Sequence, residues 1–337
     1  MWPNFRRKAP GIRVADRPGC ALITGITGQD GWYLAKRLLE LGHDAVGTTH
    51  RTDLTSMDVA GWPVPVLRLA SFELTNLQEL LRARRPSAVF NLAARASSAQ
   101  LFDDPLATAE VNGVAVARWL EAIRRECPAT RFCQASSSEI FAGATTSPQD
   151  ESTAVRPLSA YGAAKAYADH LVAAYRSTHG LFACSAVLYS HESPRRPGHF
   201  LMRKVALAAA RIASGIDERL LLGDLDAVRD WGYAADYMEA MRLMLAAKAP
   251  RDYVIATGQT HTVKEVCELA FAHVGLDWRR HVDVDQSLKR APETILRVGN
   301  AARARQELSW EPRLDFQALV RLIVDADRTT LAKQTPA

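Results

Sequence analysis

Cys20-Ala-Leu-Ile-Thr24 runs directly into Gly25-Ile-Thr-Gly28-Gln-Asp-Gly31, and the helical spacing of Leu34, Leu38, Leu39 and Leu41 follows at once. An apolar run, a glycine turn and a periodic segment in that order predict a strand that ends on a tight turn from which a helix starts. The glycines let the turn close and let its backbone approach a pyrophosphate, whose charge is favoured at a helix N-terminus. Gly25, Gly28, Gln29, Asp30 and Gly31 are thus the first candidate cofactor contacts. A glycine triplet by itself also suits a merely structural turn; its place between the first strand and the first helix gives it weight.

Working outward, further short apolar runs at 44–48, 64–69, 88–92, 131–135 and 181–188 alternate with helical segments, notably 74–84 and 106–124. This rhythm predicts β-α-β units: an α/β fold with a doubly wound, Rossmann-type parallel sheet over residues 19–188. After residue 188 the rhythm breaks at Ser193-Pro-Arg-Arg-Pro-Gly198. Helices are expected at 200–213, 262–274 and 315–327, and a strand at 253–256. Residues 189–231 and 261–330 read as a smaller C-terminal substrate lobe, with return segments to the main domain near 232–260.

The chain of 337 residues is 48% hydrophobic, ample for one large domain with a lobe. No run approaches the ~18 apolar residues of a membrane span, and no apolar leader opens the chain, so a cytoplasmic protein with no membrane partner is expected. The formal net charge of +5 is concentrated in residues 1–18, where Arg6, Arg7, Lys8, Arg13 and Arg17 face Asp16 alone. A basic, structureless tail accounts for that charge without a nucleic-acid surface. Cys20, Cys127, Cys133, Cys184 and Cys267 form no Cys-x-x-Cys pair, and the histidines show no tight ligand spacing. Reduced thiols and no metal are expected.

The end of the second strand distinguishes NAD from NADP. An acidic residue there would bond the ribose 2′-hydroxyl and repel a 2′-phosphate. The chain instead reads Gly47-Thr-Thr-His50-Arg51-Thr52, with Asp53 just beyond. Arg51 can pair with a phosphate, assisted by Thr52 and His50, which selects NADP; the alternative is a solvated surface arginine. Further on, Tyr161-Gly-Ala-Ala-Lys165 places a phenol and an ammonium on one helical face, where the cation favours phenolate. Such a tyrosine can remove a hydroxyl proton while a nicotinamide takes hydride from the same carbon. Past the fifth strand lies Gln134-Ala-Ser136-Ser137-Ser138-Glu139, which should face the tyrosine across the cleft. Ser137 can bond a substrate hydroxyl. Glu139 adds a carboxylate that hydride transfer does not need but an elimination does; its other reading is a rim or capping residue.

With these residues in view, the chain resembles the extended short-chain dehydrogenase/reductases, and within them the GDP-mannose 4,6-dehydratases. Beyond the three motifs above, the resemblance rests on His191-Glu-Ser-Pro-Arg-Arg196, Leu222-Gly-Asp-Leu-Asp-Ala-Val-Arg-Asp-Trp231 and Val254-Ile-Ala-Thr-Gly258. It implies a redox-neutral reaction on a GDP-sugar, with Ser137, Glu139, Tyr161 and Lys165 catalytic. It also implies cofactor contacts at Leu92, Ala93, Ala94, His191 and Arg196, and substrate contacts at Lys204, Arg229, Arg290 and Glu293. Several positions depart from the family pattern: Ser137 in place of threonine, His50-Arg51 in place of paired arginines, Ala70-Ser71, Ala94-Arg95-Ala96-Ser97, Ser190 and Tyr233. They leave a GDP-linked heptose or another GDP-hexose open beside mannose. The short loop at 52–60 implies a homodimer or a homotetramer. Other readings of the same tyrosine and lysine are a 4-keto nucleotide-sugar reductase or epimerase, and a non-catalytic cofactor-sensing protein.

Overall fold

Residues 20–96, 104–288 and 295–334 are described by a computed structural model; the basic tail expected at 1–18, Arg290 and Glu293 lie outside them. Alternation of side chains builds the central sheet. On β1 (Ala21–Thr24), Leu22 faces one core and Ile23 the other, and the same alternation separates Val89 from Phe90 and Phe132 from Cys133. All six are buried, and a fully buried aliphatic or phenyl side chain contributes roughly 1.5–3 kcal/mol. Both sheet faces are therefore covered, as parallel sheets require.

The first seven strands are β1, β2 (Ala45–Thr49), β3 (Ser56–Val59), β4 (Trp62–Arg68), β5 (Ala88–Asn91), β6 (Arg131–Ala135) and β7 (Ala183–Leu188). Short strands follow: β8 (Ser190–Glu192), β9 (Leu220–Leu222), β10 (Val228–Arg229), β11 (Trp231–Tyr233), β12 (Tyr253–Ile255), β13 (His261–Thr262) and β14 (Val282–Val284). The main sheet has the order β12-β7-β6-β5-β1-β2-β4-β3, parallel throughout except for the β3–β4 hairpin. The order reverses between β1 and β5, which is where a doubly wound sheet opens a crevice for ligands.

Helices α1 (Gln29–Glu40) and α7 (Ala234–Ala246) cover one face. On the other lie α2 (Leu74–Arg84), α4 (Ala115–Glu126) and α5 (Ala160–His179), with α3 (Pro105–Ala109) leading into α4. A third core joins α6 (Leu201–Ala213), α8 (Val263–His273) and α10 (Phe316–Gln334) through Met202, Val205, Phe271, Leu319 and Ile323, while α9 (Ala302–Leu308) packs by β12. Asp230 fastens this lobe to the sheet. It is buried and accepts from Thr257 N (3.0 Å), Thr257 Oγ1 (2.6 Å), Gly258 N (3.0 Å) and Gly299 N (3.2 Å).

Three elements differ from the sequence reading. The segment 52–60, expected as loop, contributes β3, because Ala60 (φ 54°) and Gly61 (φ 91°) form a two-residue hairpin turn before Trp62. The helix expected at 106–124 is interrupted by a π-turn at Glu110–Val114, where Asn112 exchanges hydrogen bonds with the backbone of Arg95 at 2.9 and 3.1 Å. Helix α7 went unread because it has no polar face. Its charged residues Glu239 and Arg242 are themselves buried, joined to each other at 2.8 and 2.9 Å and, through Glu239, to Arg37 of α1 at 2.9 Å.

Burial alone would raise the Glu239 carboxyl, but Arg242 and Arg37 hold it down to about 2. Because the folded value lies below the ordinary one, this stabilisation is present above about pH 4.5 and is lost as pH falls towards 2. Glu239→Gln should therefore flatten the acid side of the stability curve, measured as Tm against pH. An unchanged acid slope would count against the strap between α1 and α7.

Candidate active site

The turn after β1 is shaped by close approach. Gly25 adopts φ 67°, and a Cβ on it would meet Ala93 N at 3.0 Å; a Cβ on Gly31 would lie 2.4 Å from Ile26 Cα. Gly28 caps α1 with no side chain over the first-turn N–H groups, and a Cβ there would meet only Gly25 O at 3.3 Å. A bare helix N-terminus above a glycine turn suits the pyrophosphate of a dinucleotide. Thr24 ties this turn to the neighbouring strand end: its hydroxyl donates to Asn91 Oδ1 (2.7 Å) and accepts from Leu92 N (3.0 Å) and Ala93 N (2.9 Å). Asn91 in turn donates to Gln134 Oε1 at 2.7 Å. Leu92 and Ala93 thus line the crevice mouth, with Ala94 exposed beyond them.

Gln29 and Asp30 reach across to the segment after β7. Gln29 Nε2 donates to His191 O (3.2 Å), Ser193 Oγ donates to Gln29 Oε1 (2.7 Å), and His191 Nε2 meets Asp30 Oδ2 at 3.1 Å. Despite burial, which would raise it, the Asp30 carboxyl is held to about 2 by the His191 imidazole. Burial lowers His191, yet Asp30 raises it above its ordinary value. Arg196 lies with its guanidinium 3.6 Å from the centre of the Phe200 ring, near Glu192 at 3.4 Å. Arg51 is at the exposed end of β2, bonded to Asp53 at 2.8 and 3.2 Å, with Thr52 exposed beside it.

Ser137 connects the two catalytic candidates. It caps the short 3₁₀ turn Ser138–Phe141, accepting from Glu139 N at 3.3 Å, and its hydroxyl lies near the Tyr161 phenol. The first turn of α5 sits on the Glu139 backbone: a Cβ on Gly162 would approach Glu139 O to 2.7 Å. Burial pushes Tyr161 up to about 12, offset by the nearby Ser137 hydroxyl and reinforced by the Glu139 charge. Burial takes Lys165 down to about 8; its ammonium donates to Ala135 O at 2.7 Å and lies 5.7 Å from the centre of the Tyr161 ring. The sequence reading had the lysine draw the phenol down; the protein alone holds the phenol high, because desolvation outweighs its polar neighbours.

On its other side Glu139 faces a small cavity lined also by Ser138, Tyr189, Ser190, Arg229, Asp230 and Arg297. Arg229 is therefore brought to Glu139, its Nη1 donating to Val228 O at 2.6 Å. Lys204 is not: it donates to Leu221 O at 2.7 Å on the exposed side of α6. Arg290 and Glu293 lie outside the described residues. Among those described, no cluster of histidine, cysteine or acidic residues suits a metal ion, and no helix is long and apolar enough to cross a membrane.

Two residues of this cluster escaped the sequence reading. Arg297 had no local signal. Asp169 did: it lies one turn past Lys165, on the face shared with Tyr161, and accepts from Ser136 Oγ, so it clamps the Ser136–Glu139 loop to α5 from behind. Burial raises Asp169 to about 6, while Ser136 pulls the other way. Its Oδ1 has no partner among the described residues. Because the folded value lies above the ordinary one, its contribution to stability is present below about pH 4 and is lost as pH rises through 6. Asp169→Asn should thus match or exceed the wild type in Tm at neutral pH while lowering turnover. A large loss of Tm at that pH would contradict this placement.

A family model described as GDP-mannose 4,6 dehydratase matches residues 22–323. GDP-mannose 4,6 dehydratase 1 of Arabidopsis thaliana is 40% identical over 322 residues, covering 91% of this chain and 89% of that protein. GDP-mannose 4,6 dehydratase of Homo sapiens is 39% identical over 338 residues, covering 91% of each. Among solved structures, UDP-glucose 4-epimerase of Thermus thermophilus, in complex with NAD, is similar with a TM-score of 0.78 at 27% identity, covering 92% of this chain and 99% of that one. With a family model spanning most of its length and relatives this similar, the chain belongs to the GDP-mannose 4,6 dehydratase family.

Proposed function

We propose that this chain is a 4,6-dehydratase of a GDP-hexose, with GDP-mannose its substrate and NADP its cofactor. The observation that carries the reading is that Ser137 and the Glu139 charge both act on the Tyr161 phenol, while Ser137 Oγ accepts from Glu139 N at 3.3 Å, so that one cleft holds both a hydroxyl base and a carboxylate. A simple reductase or epimerase has no use for the second group.

Each residue then has a task. Ser137 and Tyr161 hold the sugar C4 hydroxyl, and Tyr161 accepts its proton as the carbon becomes a ketone. Lys165 keeps positive charge beside the phenol, which favours phenolate once the hydroxyl is in place. The ketone acidifies the proton on C5; Glu139 removes it and delivers it to the departing C6 hydroxyl, which leaves as water. A bound nicotinamide would supply the acceptor for the C4 hydride and its donor to C6, while Tyr161 gives its proton to C5, so that the sugar loses one water with no net oxidation. Arg229 supports the anionic diphosphate end of the substrate.

Gly25, Gly28 and Gly31 with Leu92 and Ala93 would hold the cofactor's diphosphate and adjoining ribose, and Gln29, Asp30, His191 and Arg196 the region beside them. Arg51 supports NADP over NAD. Its partner Asp53 is exposed and two residues away, so that ion pair is screened and readily exchanged for a 2′-phosphate.

Incubation with NADP and GDP-mannose should give a product lighter by one water, with no net change in nicotinamide absorbance. Glu139→Gln should lower that conversion at least ~100-fold while cofactor affinity stays near wild type. Stoichiometric consumption of NADPH, or wild-type conversion by the variant, would overturn the reading. Arg51→Ala should weaken NADP by about 10–100-fold and NAD little, measured as Kd by titration. Equal losses for the two cofactors would remove the 2′-phosphate contact.

A further inference from the structure

Arg297 is the member of the Glu139 cavity that no motif announces. Its side chain is 11% exposed, and its Nη1 donates to Glu139 Oε1 at 2.5 Å. The second carboxylate oxygen, Oε2, accepts no hydrogen bond from a described residue. The backbone around Arg297 is fixed on both sides. Buried Gln149 donates from Nε2 to Leu296 O (3.1 Å) and from its backbone N to Val298 O (2.9 Å), and accepts at its own carbonyl from Asn300 N (2.8 Å). Buried Asp230 accepts from Gly299 N at 3.2 Å. An arginine held this way is a fixed charge rather than a mobile surface group.

We infer that Arg297 is a positioning residue that fixes the orientation of the Glu139 carboxylate on which elimination depends. The inference deepens the dehydratase reading and rests on it. No other described side chain donates to the Glu139 carboxylate. Tyr161 brings no positive charge, and Tyr189 donates to Gln149 Oε1 at 2.9 Å. Arg229 donates to the Val228 carbonyl, and the Asp230 carboxylate is committed to Thr257, Gly258 and Gly299. A guanidinium on one carboxylate oxygen fixes the group's rotation, leaving the second oxygen to meet the C5 proton. Arg297 itself touches no reacting atom in this arrangement, so its effect is read through Glu139.

The test follows single turnovers of GDP-mannose on the NADP-loaded enzyme by rapid quench and mass spectrometry for water loss. Transient nicotinamide absorbance reports the first oxidation separately. If the wild type releases no water from GDP-mannose, the dehydratase reading fails, whatever Arg297 does. Given wild-type water loss, Arg297→Gln removes the guanidinium that holds Glu139. Its water-loss step should slow at least ~10-fold, with the oxidation phase unchanged. Arg297→Lys should restore much of the water-loss rate. Equal water-loss rates for Arg297→Gln and wild type would overturn the inference. So would equal slowing of oxidation and water loss, which a general loss of structure produces.

Discussion

Buried polar groups must find partners, and in this chain the partners run sideways from one strand end to the next. Thr24 on β1 bonds Asn91 on β5, Asn91 bonds Gln134 on β6, and the carbonyl of Ala135 receives Lys165 from α5. This seam lies where the order of the parallel strands reverses, so it sets the glycine turn, the Ser137–Glu139 loop and the Tyr161 helix at fixed separations. Each link is inaccessible to water, and losing one would strand an unpaired donor or acceptor at a cost of about 1–3 kcal/mol. The site is therefore assembled by the same bonds that finish the sheet.

Around the seam, buried and half-buried charge is handled in pairs: Asp30 with His191, Asp169 beside Lys165, Glu139 with Arg297. Desolvation opposes ionisation in the first two, and what separates them is how well the opposite charge is met. Asp30 is bonded directly to His191 and stays ionised. Asp169 relies on a serine hydroxyl and a more distant ammonium, and is pushed towards its neutral form. Differences of this kind, within one cleft, let one carboxylate serve as an anchor and another respond near neutral pH.

Much of this was legible in the linear sequence. Short apolar runs between helical stretches gave away six parallel strands, and the strand–turn–helix setting of Gly25, Gly28 and Gly31 located the crevice. The i,i+4 spacing of Tyr161 and Lys165 and the position of Glu139 after a strand were local patterns, and local patterns can be read. What was missed depended on tertiary contact. Helix α7 carries its charges inward, so it has no amphipathic signature. Strand β3 turns on Ala60-Gly61 rather than a stronger hairpin pair. Arg297 comes to Glu139 from a segment 158 residues away, held there by Gln149 and Asp230, and nothing near it in sequence marks the meeting.

All of these contacts converge on one claim: a phenol and a carboxylate work on adjacent carbons of one sugar, so that a hydride removed from C4 returns to C6 within the same turnover. The most direct measurement uses GDP-mannose carrying deuterium at C4, with the product analysed by NMR. The account predicts that the label is kept and found at C6. Label lost to solvent, or left in the cofactor after turnover, would contradict it.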